Sequence, residues 1–144
     1  MMDRNRAALQ TITVLYVDNN EKARRLLGRV LSDCGFAVAY AVDPSEALSH
    51  ARQLPVDLAL IDYRLPEMSG TKLAQKLKGL FPTLPIVMIS GCVALPDSEL
   101  EFVDAHFGRC SALDDLLATM RGLVLPKESR TAKQLVASRW ADTT

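Results

Sequence analysis

Val56-Asp57-Leu58-Ala59-Leu60-Ile61-Asp62, followed by Tyr63-Arg64-Leu65-Pro66-Glu67-Met68-Ser69-Gly70, is the stretch whose reading decides the fold. A short apolar run closed by a turn signal reads as a buried parallel strand. Asp62 is then a carboxylate at the carboxyl edge of a sheet, where open α/β folds gather ligands and chemistry. A second acid, Asp18, closes another such run, Thr13-Val14-Leu15-Tyr16-Val17. Two acids at two strand ends suggest a small anionic pocket able to hold a divalent cation.

Working outward, apolar strands alternate with amphipathic helices. Ala23, Leu26, Leu27, Val30 and Leu31 fall at i, i+3, i+4, i+7 and i+8 spacing and predict one buried helix stripe. Gly35 ends that helix, and Phe36 to Val42 is a second strand. Asp43-Pro44-Ser45-Glu46 combines a capping side chain, Pro at the first position and an acid at the third, so a helix starts there. Ala47, Leu48 and Ala51 form its inner face. Leu73, Leu77, Leu80 and Phe81 mark a third helix, and Ile86-Val87-Met88-Ile89 a fourth strand closed by Ser90. Leu95-Pro96-Asp97 predicts a short helix through Phe102. Val103 to Phe107 reads as a fifth strand. Ser111 reads as the cap of a last helix lined by Leu113, Leu116, Leu117 and Met120. Strands alternating with helices imply right-handed crossovers, a parallel sheet and helices on both faces.

The 144 residues suit one domain. Residues 1–10 read as an N-terminal extension, 11–124 as the domain, and 125–144 as a tail or extra helix. Lys+Arg and Asp+Glu both number 17, so the net charge is zero and nothing favours nucleic acid. No apolar stretch approaches the ~20 residues that cross a bilayer, and the N-terminus has no signal core. The expected location is therefore cytoplasmic, with no membrane partner. Cys34, Cys92 and Cys110 lack CxxC spacing and read as reduced thiols. Cys92, after Gly91, stands near the fourth strand end, where it could tune water access. No glycine-rich phosphate loop, GxSxG or HExxH is present.

Four strand ends matter together: Asp18-Asn19, Asp62, Ser90 and Phe107-Gly108-Arg109. With DYRLPEMSG, they resemble the receiver domain of bacterial two-component response regulators over roughly residues 11–124. The resemblance implies a doubly wound, flavodoxin-like sheet in the order 2-1-3-4-5. It makes Asp62 the phosphoacceptor, with Ser90 and Arg109 contacting the phosphoryl oxygens. It implies Mg²⁺ held by Asp18, Asn19, Asp62 and the Arg64 carbonyl, and a switch formed by Ser90 and His106. A histidine kinase or phosphotransfer protein would be the donor and a downstream protein the target. The chain would be a single-domain regulator rather than an enzyme. A carboxylate can hold a phosphoryl group as an acyl phosphate, and a hard cation with oxygen ligands offsets its charge.

Departures from the family pattern are informative. Asn19 stands where a second acid is usual and brings no charge, so weaker Mg²⁺ binding is expected. Arg109-Cys110 replaces the usual Lys-Pro, and Arg is a planar fork rather than a compact ammonium. His106 occupies the aromatic switch position and adds a pH-sensitive ring. The Ser90-to-Arg109 segment is shorter than usual, so the fourth helix should be short or irregular and Gly91 to Phe102 the least stable part. The alternative is a pseudo-receiver, an interaction module with little or no phosphorylation. A haloacid-dehalogenase-type phosphatase needs a second acid two residues after a strand-end nucleophile, where Asn20 follows Asp18.

Overall fold

The structure, a computed structural model, describes residues 11–91, 94–109 and 111–124. The expected N-terminal extension, the 125–144 tail, Cys92 and Cys110 lie outside the described residues. Five strands, β1 (Thr13–Val17), β2 (Ala37–Ala41), β3 (Leu58–Asp62), β4 (Ile86–Ser90) and β5 (Ala105–Gly108), form one sheet. All pairs are parallel, in the order β2-β1-β3-β4-β5. Four α-helices, α1 (Glu21–Asp33), α2 (Pro44–Gln53), α3 (Gly70–Leu80) and α4 (Leu113–Leu123), cover its faces. This is the doubly wound fold read from the sequence.

Alternation along the central strands splits the core in two. Val14, Tyr16, Leu58, Leu60, Val87 and Ile89 pack on the side of α1 and α4. Leu15, Val17, Ala59, Ile61 and Ile86 pack on the side of α2 and α3. Every residue of β3 and β4 is buried, which is why both read as unbroken apolar runs.

Local chemistry sets the helix ends. Asn20 caps α1 by accepting from the Ala23 N–H (2.9 Å). Asp43 caps α2 by accepting from the Glu46 N–H (2.8 Å), while Glu46 Oε1 accepts from the Val42 N–H (2.8 Å). Gly35, at φ 97, closes α1. The Phe36 N–H reaches the Leu31 carbonyl and the Gly35 N–H the Ser32 carbonyl, both at 3.0 Å.

Several expectations are corrected. Leu26 is 64 % exposed. The inner face of α1 instead runs through Leu27, Gly28 and Leu31, because the Tyr40 ring lies where a Cβ of Gly28 would stand. Ser111 does not cap the last helix. Ala112 holds the cap position without a side-chain bond, and Leu113 is 40 % exposed. The fifth strand begins two residues later than read. Asp104 stays outside it because its Oδ2 accepts from the Ile86 N–H (2.7 Å) and from Lys78 Nζ (2.9 Å).

The short or irregular fourth helix is a single 3-10 turn, Asp97–Glu99. That turn is tied down. Glu99 Oε1 accepts from the Tyr63 hydroxyl (3.0 Å) and from Thr71 Oγ1 (2.9 Å), and the Glu99 carbonyl lies 2.8 Å from the same Oγ1. These bonds attach the segment to the first turn of α3 and to the residue after Asp62. Segments with few buried contacts open locally at low cost, so the tie sets the opening free energy. Thr71→Val is expected to speed amide exchange of residues 94–104 by about tenfold, the loss of roughly one to two kcal/mol of hydrogen bonding, while α3 amides beyond the first turn keep their rates. Hydrogen exchange read by mass spectrometry checks this.

Candidate functional site

Parallel register brings the functional side chains to one edge. Val17 pairs with Ile61, Asp62 with Ile89, and Ser90 with Gly108. The residues that end or follow β1, β3, β4 and β5 therefore meet there.

Asp18 is fully buried. Its Oδ1 accepts from the Asn20 N–H (2.9 Å), and its Oδ2 from the Tyr16 hydroxyl (2.8 Å) and Arg109 Nη2 (3.1 Å). Its carbonyl accepts from Arg24 Nη1 (2.8 Å). Asp62 lies across the gap, with Oδ1 3.4 Å from the same Arg109 Nη2. One guanidinium nitrogen thus faces both acids.

Burial, reinforced by the negative charge of Asp18, raises the Asp62 carboxyl to about 6. The Arg109 charge and the Arg64 backbone N–H pull it the other way. Burial works against the charge on Arg109, but the hydrogen bond and charge of Asp18, with the charge of Asp62, outweigh it and raise its pKa. Burial and then the hydrogen bond to Asp18 push the Tyr16 phenol well above the usual tyrosine range, so it stays a neutral donor.

The loop after Asp62 is shaped by two residues. Glu67 sits at φ 72, in a tight turn closed by the Met68 N–H to the Pro66 carbonyl (2.7 Å). Gly70 opens α3, and its N–H reaches the Tyr63 carbonyl (2.7 Å). A Cβ at Gly70 would lie 2.6 Å from the Asp62 carbonyl oxygen and 2.9 Å from Tyr63 Cα. Both are backbone atoms and cannot swing aside, so only glycine lets α3 start against the strand end.

Ser90 is buried, and its Oγ lies 2.7 Å from His106 Nε2. The hydroxyl also lies 3.1 Å from the Gly91 carbonyl. With its single proton given to that carbonyl, the Nε2–H tautomer of His106 completes the pair. Ser90 and His106, read together as a switch, are in direct contact.

The structure brings Asp18, Asp62 and Arg109 together, with Arg109 on the two acids, and Arg64 meets Asp62 through its backbone N–H. Asn19 does not join them. Its side chain is exposed and its Nδ2 donates to the Val42 carbonyl (3.4 Å), so it takes no part in the Asp18–Arg109–Asp62 group. Tyr16 and Arg24 were missed. Tyr16 had a signal: residues i and i+2 of a strand share a face, which puts its phenol beside Asp18.

The sequence profile of the response regulator receiver domain matches residues 14–107. The chain belongs to the response regulator receiver domain family. Response regulator MprA of Mycobacterium tuberculosis is 30 % identical over 141 residues, covering 93 % of this chain and 60 % of that protein. The chain thus spans about 60 % of the length of that curated relative. Among solved structures, a CheY-like receiver from Methanospirillum hungatei superposes with TM-score 0.72 at 25 % identity, covering 87 % of this chain and 99 % of that one. TrrA of Thermotoga maritima, solved in complex with Mg²⁺-BeF, gives 0.75 at 21 %, covering 79 % of this chain and 100 % of that one, and shares the fold.

Does this receiver's donor set suit a hard divalent cation? Two carboxylates converge on one point, and hard cations take oxygen ligands. Among the described residues no third His, Cys, Asp or Glu joins them. The fit is met by Asp18 and Asp62, with backbone or water oxygens completing it, and the Arg109 guanidinium now stands between the two acids.

The raised Asp62 pKa has a stability consequence with a definite sign. The folded-state value, about 6, exceeds the unfolded one, near 3.9. Between those values the folded protein holds a proton that the unfolded chain has released, so stability falls as pH rises through that window. In metal-free buffer Asp62→Asn is expected to raise Tm at pH 7–8, with the gain shrinking as pH falls from about 6 towards 4. Thermal melts of both proteins across pH 4–8 check this.

Proposed function

We propose that this receiver accepts a phosphoryl group on Asp62 from a histidine kinase or phosphotransfer protein, and signals by phosphorylation-dependent protein binding. The observation that supports the reading is the Asp62 carboxylate at the end of β3, facing Arg109 and Asp18. An Asp62 carboxylate oxygen attacks phosphorus as the bond from phosphorus to the donor breaks. The donor nitrogen or oxygen leaves with the bonding pair, and an acyl phosphate remains.

The chain's own residues serve that step. The raised pKa leaves Asp62 ionised above about pH 6. Arg109 turns from Asp62 to a phosphoryl oxygen, its planar fork suited to that geometry. The Ser90 hydroxyl turns its proton from the Gly91 carbonyl to another phosphoryl oxygen, and any shift of Oγ in that turn moves the acceptor of the His106 Nε2–H. Mg²⁺ bound by Asp18, Asp62 and the Arg64 carbonyl would supply positive charge to the phosphoryl oxygens. The acyl phosphate then shifts a pre-existing equilibrium between two receiver conformations. The face formed by the Asp97–Glu99 turn, β5 and α4 reports the shift to a target.

The pseudo-receiver reading draws on one observation: Asn19 is turned to Val42 while the single Arg109 charge already faces both acids. Acetyl phosphate with Mg²⁺, followed by trapping and mass spectrometry, separates the two. Labelling confined to Asp62 and lost in Asp62→Asn is expected. Unchanged labelling in Asp62→Asn would remove Asp62 from the role, and no labelling in the wild type would establish the pseudo-receiver.

A further inference from the structure

Tyr16 is the one phenol that reaches the pocket from inside the core. It is fully buried, yet its hydroxyl donates to Asp18 Oδ2. Its ring lies 6.3 Å from that of Tyr40, tilted by 51°. Tyr40 in turn fills the space left by Gly28 of α1. Packing and the Ala23 carbonyl, 3.4 Å from the hydroxyl, therefore hold the phenol from behind while Asp18 can turn.

The consequence lies on the carboxylate. Oδ1 is engaged by the Asn20 N–H, and Oδ2 by Tyr16 and Arg109 together. A carboxylate offers about four lone-pair sites. Three are used, by donors that come from a packed ring, a helix start and the loop after β5. Asp18 is thus clamped in the orientation that presents Oδ2 to Arg109. The same guanidinium nitrogen reaches Asp62, so a divalent cation bridging Asp18 and Asp62 must take Arg109's place.

We propose that Tyr16 is a positioning residue that clamps Asp18 onto Arg109, making the guanidinium a built-in competitor of the divalent cation. The proposal rests on the phosphoacceptor reading only for the location of the cation. Its content is a competition for two carboxylates, which is measurable with no phosphoryl donor present. Arg109 has two alternative placements, on the acids or on the phosphoryl group, and Tyr16 biases it to the first. Cation entry would then be limited by a side chain of this chain, in addition to the missing charge at Asn19.

The experiment is a Mg²⁺ titration of the full chain, ¹⁵N-labelled, followed through the amide shifts near Asp18, Asp62 and Arg64. Tyr16→Phe removes only the hydroxyl. It is expected to tighten Mg²⁺ binding at least about threefold, the scale of losing one hydrogen bond to a charged group that is partly compensated. Arg109→Met is expected to tighten it about tenfold or more, since a cation no longer has to be displaced. Because both act through one carboxylate, Tyr16→Phe should add little in the Arg109→Met background. The Arg109 side-chain N–H resonances should exchange faster with water in Tyr16→Phe, a readout that a merely space-filling ring would not move.

An unchanged Mg²⁺ midpoint in Tyr16→Phe, with amide shifts away from the pocket retained, overturns the proposal. So does an equal gain from Tyr16→Phe with and without Arg109, which would make Tyr16 act on Asp18 alone. If Tyr16→Phe fails to fold, the comparison of wild type with Arg109→Met decides: equal Mg²⁺ affinities overturn the competition. Failure of Asp62 to take label while these shifts occur would sink the phosphoacceptor reading and leave the clamp standing.

Discussion

The contact on which the pocket depends is the Arg109 guanidinium held between Asp18 and Asp62. Two carboxylates this close, one of them fully buried, repel each other and are poorly solvated. Without a counter-charge one of them would take up a proton. Arg109 tips that balance only in part, because the Asp62 carboxyl still sits at about 6. The acid is ionised at neutral pH, yet it holds its proton well above the usual carboxylate range. Opposing effects act on one group, burial and Asp18 outweighing Arg109 and the Arg64 N–H, so movement of the guanidinium would raise the carboxyl further.

A second pair joins the pocket's edge to the neighbouring strand. The Ser90–His106 contact spans the register between β4 and β5, at 2.7 Å. A hydroxyl has one proton to give, so Ser90 cannot donate to the Gly91 carbonyl and to a phosphoryl oxygen at once, whereas its oxygen accepts from the His106 Nε2–H in either case. The segment before β5, which holds one 3-10 turn among the described residues, is tied down separately by Glu99, Tyr63 and Thr71.

Much of this was legible in the sequence, and the reasons differ by residue. Asp62 and Asp18 could be found because both end apolar runs, and strand parity leaves no other edge for them. The sheet order followed from the family resemblance, not from periodicity, which cannot rank parallel strands. Leu26 misled because a hydrophobic stripe does not say which side of a wide face meets the sheet, and the Tyr40 ring over Gly28 turned the contact towards Leu27 and Leu31. Ser111 misled because a capping residue type does not guarantee a cap. Tyr16 was hidden by its setting: inside an apolar strand it reads as core, which it is, and its hydroxyl matters only once Asp18 is placed. Glu99 could not be anticipated, since its partners lie 28 and 36 residues away.

The Asp18–Arg109 bond joins residues 91 positions apart in the chain, and this bears on how the molecule matures. Parallel pairings between distant segments form late and slowly, because loop-closure entropy precedes any reward from contact. β5 is the last strand among the described residues, and Arg109 follows it. A chain that has collapsed around β1, β2 and β3 already presents Asp62 but lacks its cationic partner, and its two acids face each other unrelieved. The counter-charge thus reaches the two acids only when β5 docks. On the phosphoacceptor reading, competence at Asp62 would in this sense report that the described sheet has been assembled, and a half-folded copy would be silent rather than misleading.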